Sequence, residues 1–259
     1  MFQALSRSEE RLLRGLHRRK EREASGLFLA EGIRVVEDLL ASKLELRFAV
    51  VSPALQATER GHQLLNRLRD ATQVRYVDDR VLAGLAGTQT PQGVLVVARA
   101  PRYELAELEL PERATILILD GVQDPGNFGT LVRTADAFGA AAVVVLPGTV
   151  DPWNAKSVRS AAGAVFRVPV IAADLAELAG WLRAEGVTIY GADAGGEDVT
   201  RVEIAPRAAL IVGNEGAGLS VAAREIIDTA LAVPIEPHAE SLNAAVAGGI
   251  LLFMLTRQC

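Results

Sequence analysis

Cysteine is almost absent: the only one in 259 residues is Cys259, at the last position. A disulfide within one chain and a cysteine-rich zinc cluster are both excluded, which fits a reducing, cytoplasmic setting. The opening residues, MFQALSRSEERLLRG, lack the apolar core of a secretory signal. No apolar run approaches the roughly 20 residues of a membrane span. The longest late run, 244–255, is interrupted by Gly248 and Gly249. Familiar catalytic signatures are missing as well. There is no GxGxxG, no GKS or GKT phosphate loop, no GxSxG elbow and no HExxH. His17, His62 and His238 are scattered, and His238 reads as a loop histidine. Standard dinucleotide, metal and triad chemistry therefore lack their parts.

Half of the residues are hydrophobic, enough for a full core without staples. The net charge of −5 hides an asymmetry. Residues 1–105 hold 17 Lys+Arg against 13 Asp+Glu, so +4, and the remainder holds 10 against 19, so −9. Arg7, Arg11, Arg14, Arg18, Arg19, Lys20 and Arg22 concentrate the positive charge. A basic end on an acidic protein suggests a surface that faces RNA or DNA. The competing reading is a solvated helix face, since Glu9, Glu10, Glu21 and Glu23 interleave.

Apolar periodicity predicts an α/β chain in two parts. Residues 7–23 read as one charged helix, 27–30 as a strand and 31–41 as a helix. A strand at 46–51, a helix at 58–69, strands at 74–77 and 94–98 and a short helix capped by Asp78-Asp79 complete a first unit. The boundaries expected are 1–105 for this domain, 106–113 for a linker and 114–259 for a second domain. The second opens on Thr115–Leu119, a continuous apolar run suited to a central parallel strand. Further strands at 141–146, 165–170, 187–190, 208–212 and 230–233 alternate with helices at 128–138, 154–162, 174–185, 220–227 and 241–256. Such alternation means a mostly parallel sheet covered by helices.

Three segments carry polar residues where strands should end. In the first, residues 120–133, glycines and Pro125 shape a tight turn and Asn127 sits where a helix N-cap belongs. Phe128, Leu131, Val132, Ala135 and Phe138 form the apolar face of the following helix, and Arg133 lies off it. An arginine near a helix start opposes the dipole. It is explained either by a salt bridge to Asp136 or Asp124, or by a phosphate clamp. In the second segment, Gly213, Gly216 and Gly218 surround Asn214-Glu215, where Glu215 could bond an arginine or a ligand amine. In the third, Ser241 can cap the last helix, with Asn243 in its first turn.

Asn127 through Arg133, Gly213–Ser220 and Ser241–Ala247 resemble motifs 1, 2 and 3 of the SpoU family, RNA ribose 2′-O-methyltransferases of the SPOUT superfamily. The resemblance covers 113–259. The first unit is similar to the family's substrate-binding domain, which resembles ribosomal protein L30e, through Leu27–Gly32 and Thr90–Gly93. The resemblance implies an α/β parallel-sheet domain whose C-terminal segment forms a deep trefoil knot, and a homodimer through that knot. It implies S-adenosylmethionine as cofactor, held by Gly213, Val233, Ile235 and Leu242, and no metal. Asn127, Arg133, Glu215, Ser241 and Asn243 become the catalytic set. Arg14, Arg18, Arg19 and Lys20 become RNA-binding candidates, with ribosomal RNA preferred to tRNA by analogy. Arg133 is either the base or, since arginine holds its proton, a clamp on the adjacent phosphate. The loop Glu236-Pro237-His238-Ala239-Glu240 departs from the Met-Gly-rich loop common in the family. The alternatives are tRNA as substrate, methylation of a base nitrogen, and a non-catalytic RNA-binding protein on the same scaffold.

Overall fold

The computed structural model describes residues 3–236, 238–239 and 241–258. Pro237 and Glu240 of the divergent loop, and Cys259, lie outside the described residues. In chain order the first elements are β1 (Gln3–Ala4), α1 (Arg7–Gly15), α2 (Arg19–Ser25), β2 (Leu27–Glu31), α3 (Ile33–Ala41), β3 (Leu46–Val51), α4 (Glu59–Ala71), β4 (Val74–Tyr76), α5 (Asp79–Leu85) and β5 (Val94–Arg99). There follow β6 (Ala114–Asp120), α6 (Pro125–Phe138), β7 (Ala142–Val145), α7 (Ala155–Ser160), β8 (Val170–Ala172), α8 (Leu175–Ala184), β9 (Thr188–Asp198), β10 (Arg207–Gly213), α9 (Val221–Ile226), β11 (Thr229–Ala232) and α10 (Ala244–Gln258). Packing divides the chain into two units: Met1–Pro101 with Asp151–Phe166, and Arg102–Val150 with Arg167–Cys259. Among the described residues no helix is long and apolar enough to cross a membrane.

Unit 1 is a five-stranded sheet in the order β1-β4-β3-β5-β2. The first three strands run parallel, and β5 is antiparallel to both β3 and β2. The single helix expected over 7–23 is two helices. The break falls at Arg18, whose backbone is extended (φ −100°, ψ 133°). Arg22 accounts for the turn. It is buried, not part of the basic surface, with Nε donating to Asp151 Oδ2 at 2.7 Å and Nη1 to the Leu16 carbonyl at 2.6 Å. The segment 151–166 belongs to this unit, where Trp153 and Phe166 stack on Phe28 with ring centroids 4.9 and 5.7 Å away. That packing explains why no strand starts at 165. Residues 164–166 form a 3-10 turn, and the strand begins only at Val170, after Pro169.

Unit 2 is a six-stranded, fully parallel sheet in the order β11-β9-β10-β6-β7-β8. The strand order reverses between β10 and β6, whose C-terminal residues Gly213 and Asp120 are paired in register. An open α/β sheet places its ligand crevice at such a reversal. All seven residues of β6 are buried. Ile116 and Ile118 share one core cluster with Leu178 and Leu182 of α8. The opposite face receives α10, which packs on α6 and β10. Gly248 allows that approach: a Cβ there would lie 2.8 Å from Leu131 Cδ2 and 2.9 Å from Val212 Cγ2.

Two elements differ from expectation near the crevice. The last helix starts at Ala244, not 241, for a reason given below. β9 continues past Tyr190 to Asp198, and its pairing with β11 jumps from Gly191 to Glu197 between Ala230 and Leu231. The residues between bulge outward. Gly196 sits so close to β11 that a Cβ would meet the Ala230 carbonyl carbon at 2.6 Å.

Candidate active site

The site is assembled from loops that leave the C-terminal ends of β6, β10 and β11. Gly121 turns the chain after β6 at φ 72°. Its N–H donates to Thr149 Oγ1 at 3.1 Å, and its carbonyl accepts from Asn214 Nδ2 at 2.8 Å. The N-cap of α6 is Asp124, not Asn127. Pro125 occupies the first helical position, where its missing N–H costs nothing. Asp124 Oδ1 accepts from the Asn127 N–H at 2.9 Å. Asn127 thus lies in the first turn with its side chain released for other partners.

Those partners are the acid and the amide of the other two motifs. Asn127 Nδ2 donates to Glu215 Oε1 at 3.0 Å, and Asn127 Oδ1 accepts from Asn243 Nδ2 at 3.1 Å. The amide orientations follow from chemistry. Glu215 as a carboxylate only accepts, so it must face the Asn127 amino group. Asn243 Oδ1 accepts the N–H groups of Ala245 and Val246 at 2.9 and 3.2 Å, so its own amino group must face Asn127. Asn243 is therefore the cap of α10, and Ser241 is not. Asn243 stands at the cap, where asparagine is favoured, and not within the first turn, where it is a mediocre helix former.

Among the described residues Glu215 bonds no arginine. It also accepts from the backbone N–H groups of Gln123 and Asp124, both at 3.3 Å. Partial burial is the largest single influence on its carboxyl and disfavours the charge. The bonds from Asn127 and from these backbone amides together outweigh it and hold the pKa below the ordinary value.

Arg133 is exposed on α6 and has no hydrogen bond or ion pair with any described residue. Neither salt bridge considered for it forms: Asp136 pairs with Arg167 at 2.6 Å and Asp124 caps the helix. Its guanidinium fork is unspent.

Beside this network lies an open cavity of about 160 Å³. Gly213, Val233, Ile235 and Leu242, the four residues assigned to the cofactor, all line it, and so does Ser241. A Cβ on Gly213 would come within 2.3 Å of the Gly218 carbonyl carbon, so the wall here is bare backbone. Apolar side chains with backbone groups between them fit an adenosyl group and its sulfonium chain. The set expected as catalytic is not one cluster: Asn127, Glu215 and Asn243 are bonded together, while Arg133 and Ser241 are both exposed without a bond to any described residue, Ser241 at the cavity.

Three contributors went unassigned in the sequence. Asn214 folds its loop, accepting the N–H groups of Gly216 and Ala217 on Oδ1 at 2.9 and 3.0 Å. Asp124 supplies the cap. Asp193, in the bulge of β9, lines the cavity and is paired with Arg224. Its carboxyl is held below the ordinary value chiefly by the Gly195 N–H, then by Arg224. The cap was legible from Pro125; the bulge had no local signal.

Residues 114–253 match the SpoU rRNA Methylase family, and residues 11–96 match the MRM3-like substrate binding domain. The chain is 39% identical to the 23S rRNA (guanosine(2553)-2′-O)-methyltransferase RlmP of Bacillus subtilis, over 93% of this chain and 92% of the relative. Its fold resembles the SpoU methyltransferase AviRb from Streptomyces viridochromogenes in complex with AdoMet, with a TM-score of 0.88 and 27% identity over 98% of both chains. It also resembles an AdoMet-bound rRNA methyltransferase from Sinorhizobium meliloti, with a TM-score of 0.85 and 30% identity over 98% of this chain and 96% of the other. The chain belongs to the SpoU rRNA methylase family.

Proposed function

We propose that this protein methylates a ribose 2′-hydroxyl of 23S ribosomal RNA, with S-adenosylmethionine as donor, in the cytoplasm. The observation that carries this reading is the chain of bonds from Asn243 through Asn127 to Glu215 at the rim of the cofactor cavity. S-adenosylmethionine, when bound, supplies an activated methyl group that needs no metal. The protein must then align a weak nucleophile and manage its charge. Asn127 and Asn243, locked in one orientation, hold the ribose. Glu215 fixes Asn127 and stays ionised. Arg133, with its fork unspent, grips the phosphate next to the reacting ribose and stabilises negative charge growing on the 2′-oxygen as its proton leaves to water. Ser241 belongs to the same catalytic set, at the cavity edge.

The family reading carries two further features. The C-terminal segment, from β11 through α10, forms a trefoil knot around the cofactor cavity. A homodimer forms through the same region. Support comes from Val246, Ile250 and Phe253, spaced along one side of α10 and 48, 39 and 40% exposed. An apolar stripe of that kind on a soluble helix calls for a partner, here a second copy. RNA binding falls to unit 1. Arg14, Arg18 and Arg19 are paired there with Glu10, Glu21 and Glu23, and Lys20 has no partner among the described residues. Exposed pairs like these are worth little, so a phosphate can replace the glutamates.

The test is methyl transfer from labelled S-adenosylmethionine to unmodified 23S rRNA and to bulk tRNA, followed by nucleoside digestion. A 2′-O-methylated nucleoside from 23S rRNA alone is expected. Label on a base, or on tRNA only, contradicts the reading.

A further inference from the structure

Unit 1 contains a cavity of its own, of about 310 Å³, lined entirely by residues of that unit. It lies between the end of β2, the start of α3, the loop 88–92 and α7. Its wall is mostly apolar, with a few hydrogen-bonding side chains set into it. Arg34 is exposed and forms no hydrogen bond or ion pair with any described residue. Arg159 Nη1 donates to Glu31 Oε2 at 3.3 Å and has no other partner among them. The hydroxyl-bearing Thr88 and Thr90 and the amide of Gln92 complete the polar surface.

The acid in the wall is already spent. Glu31 is 2% exposed, and its two oxygens accept from the Gly87 N–H at 3.0 Å, from Thr88 Oγ1 and from Arg159. Gln92 Oε1 accepts the Ile33 N–H at 2.9 Å, which ties the loop to the start of α3. Both ties fix the cavity shape in advance. Ala162, also on the wall, is the one non-glycine residue with positive φ (44°) among the described residues. Such strain persists where surroundings enforce it, often at ligand sites. With Glu31 neutralised by Arg159, Arg34 leaves the cavity net positive. A cationic ligand is disfavoured, and an apolar one would strand the donors. The ligand that fits is anionic, with a body that offers both apolar surface and hydrogen-bonding groups.

We propose that this cavity takes one unpaired nucleotide of the substrate RNA, its phosphate held by Arg34 and Arg159 and its base inside near Thr88, Thr90 and Gln92. This rests on the reading of the protein as an rRNA methyltransferase. It adds that unit 1 reads a second nucleotide, separate from the one methylated. Paired A-form RNA keeps its base edges out of reach of such a pocket, whereas an unpaired nucleotide can be splayed into it.

The experiment measures binding of in vitro transcribed 23S rRNA to the full-length protein against salt concentration, for wild type, Arg34→Glu, Thr90→Trp and Arg47→Glu. Arg34 makes no hydrogen bond or ion pair with any described residue and only a long-range attraction to Glu37, itself paired with Arg60, so its replacement disturbs the fold little. Thr90→Trp fills the cavity without changing charge. Arg47, half-exposed and paired with Glu45, controls for general electrostatics. Arg34→Glu should weaken RNA binding roughly tenfold and lower the salt slope by about one. Thr90→Trp should weaken binding with the slope unchanged. S-adenosylmethionine binding should be equal in all four. Transcript carrying 4-thiouridine should crosslink to the peptide containing 88–92 in wild type and not in Thr90→Trp. If wild type methylates the transcript while Arg34→Glu and Thr90→Trp bind it as well as Arg47→Glu does, the pocket is refuted and the function stands. If wild type does not bind the transcript, both are refuted.

Discussion

Asn243 Nδ2 donates to Asn127 Oδ1 at 3.1 Å, joining the cap of α10 to the first turn of α6 across 116 residues of sequence. The bond lets two motifs act as one group. Asn127→Asp tests it. An aspartate there meets the Glu215 carboxylate in place of an amino group, and like charges at that distance repel. Methyl transfer should fall by about 10²-fold or more, the loss typical of one misplaced catalytic donor. Cofactor binding, measured by calorimetry, should change little. Near-normal turnover would mean that the bond only fastens two loops.

Glu215 makes stability depend on pH in a definite direction. Its folded pKa lies below the usual 4.5, so its stabilisation is complete above that value and is lost as pH falls through the folded pKa. Glu215→Gln should be less stable than wild type at neutral pH, and urea melts of the two should converge once the pH is below the folded pKa of Glu215. A constant gap at both pH values would show that the charge is not what matters.

Arg133→Lys keeps the charge and removes the fork. The account expects turnover on rRNA to drop at least tenfold, with S-adenosylmethionine affinity intact. A lysine variant with near-normal turnover would refute the clamp.

Gly248→Val should lower stability by about 1–3 kcal/mol, since the added carbons meet Leu131 and Val212 and overpack the interface of α10 with α6 and β10. Thermal melts read this directly. An unchanged melting temperature would mean that α10 can move away from the sheet.

Val246→Glu with Phe253→Glu puts two charges on the exposed stripe of α10. Sedimentation should show a dimer for wild type and a monomer for the double variant. A monomeric wild type would remove the homodimer from the account.

Much of this was legible in the chain because it is written locally. The buried run of β6 announces a central parallel strand, and Gly213 with its flanking residues announces a turn at its neighbour's end. The misreadings share one cause: the deciding partner is distant in sequence. Arg22 looks like surface until Asp151, 129 residues away, takes it inward and breaks the first helix. Phe166 looks like a strand residue until Phe28 claims it. Asn127 looks like a cap until its role at Glu215 and Asn243 is seen, and the cap passes to Asp124. The bulge of β9, which carries Asp193 to the cavity, is set by pairing with β11 and not by any pattern of its own.

The most direct test compares 23S rRNA from cells that lack this protein with rRNA from the same cells carrying the wild-type chain or Arg133→Ala. Each RNA is mapped by alkaline hydrolysis, which spares the bond next to a 2′-O-methyl group. The account predicts one protected position, present with wild type and absent both without the protein and with Arg133→Ala. An identical ladder in all three, or protection restored by Arg133→Ala, would contradict it.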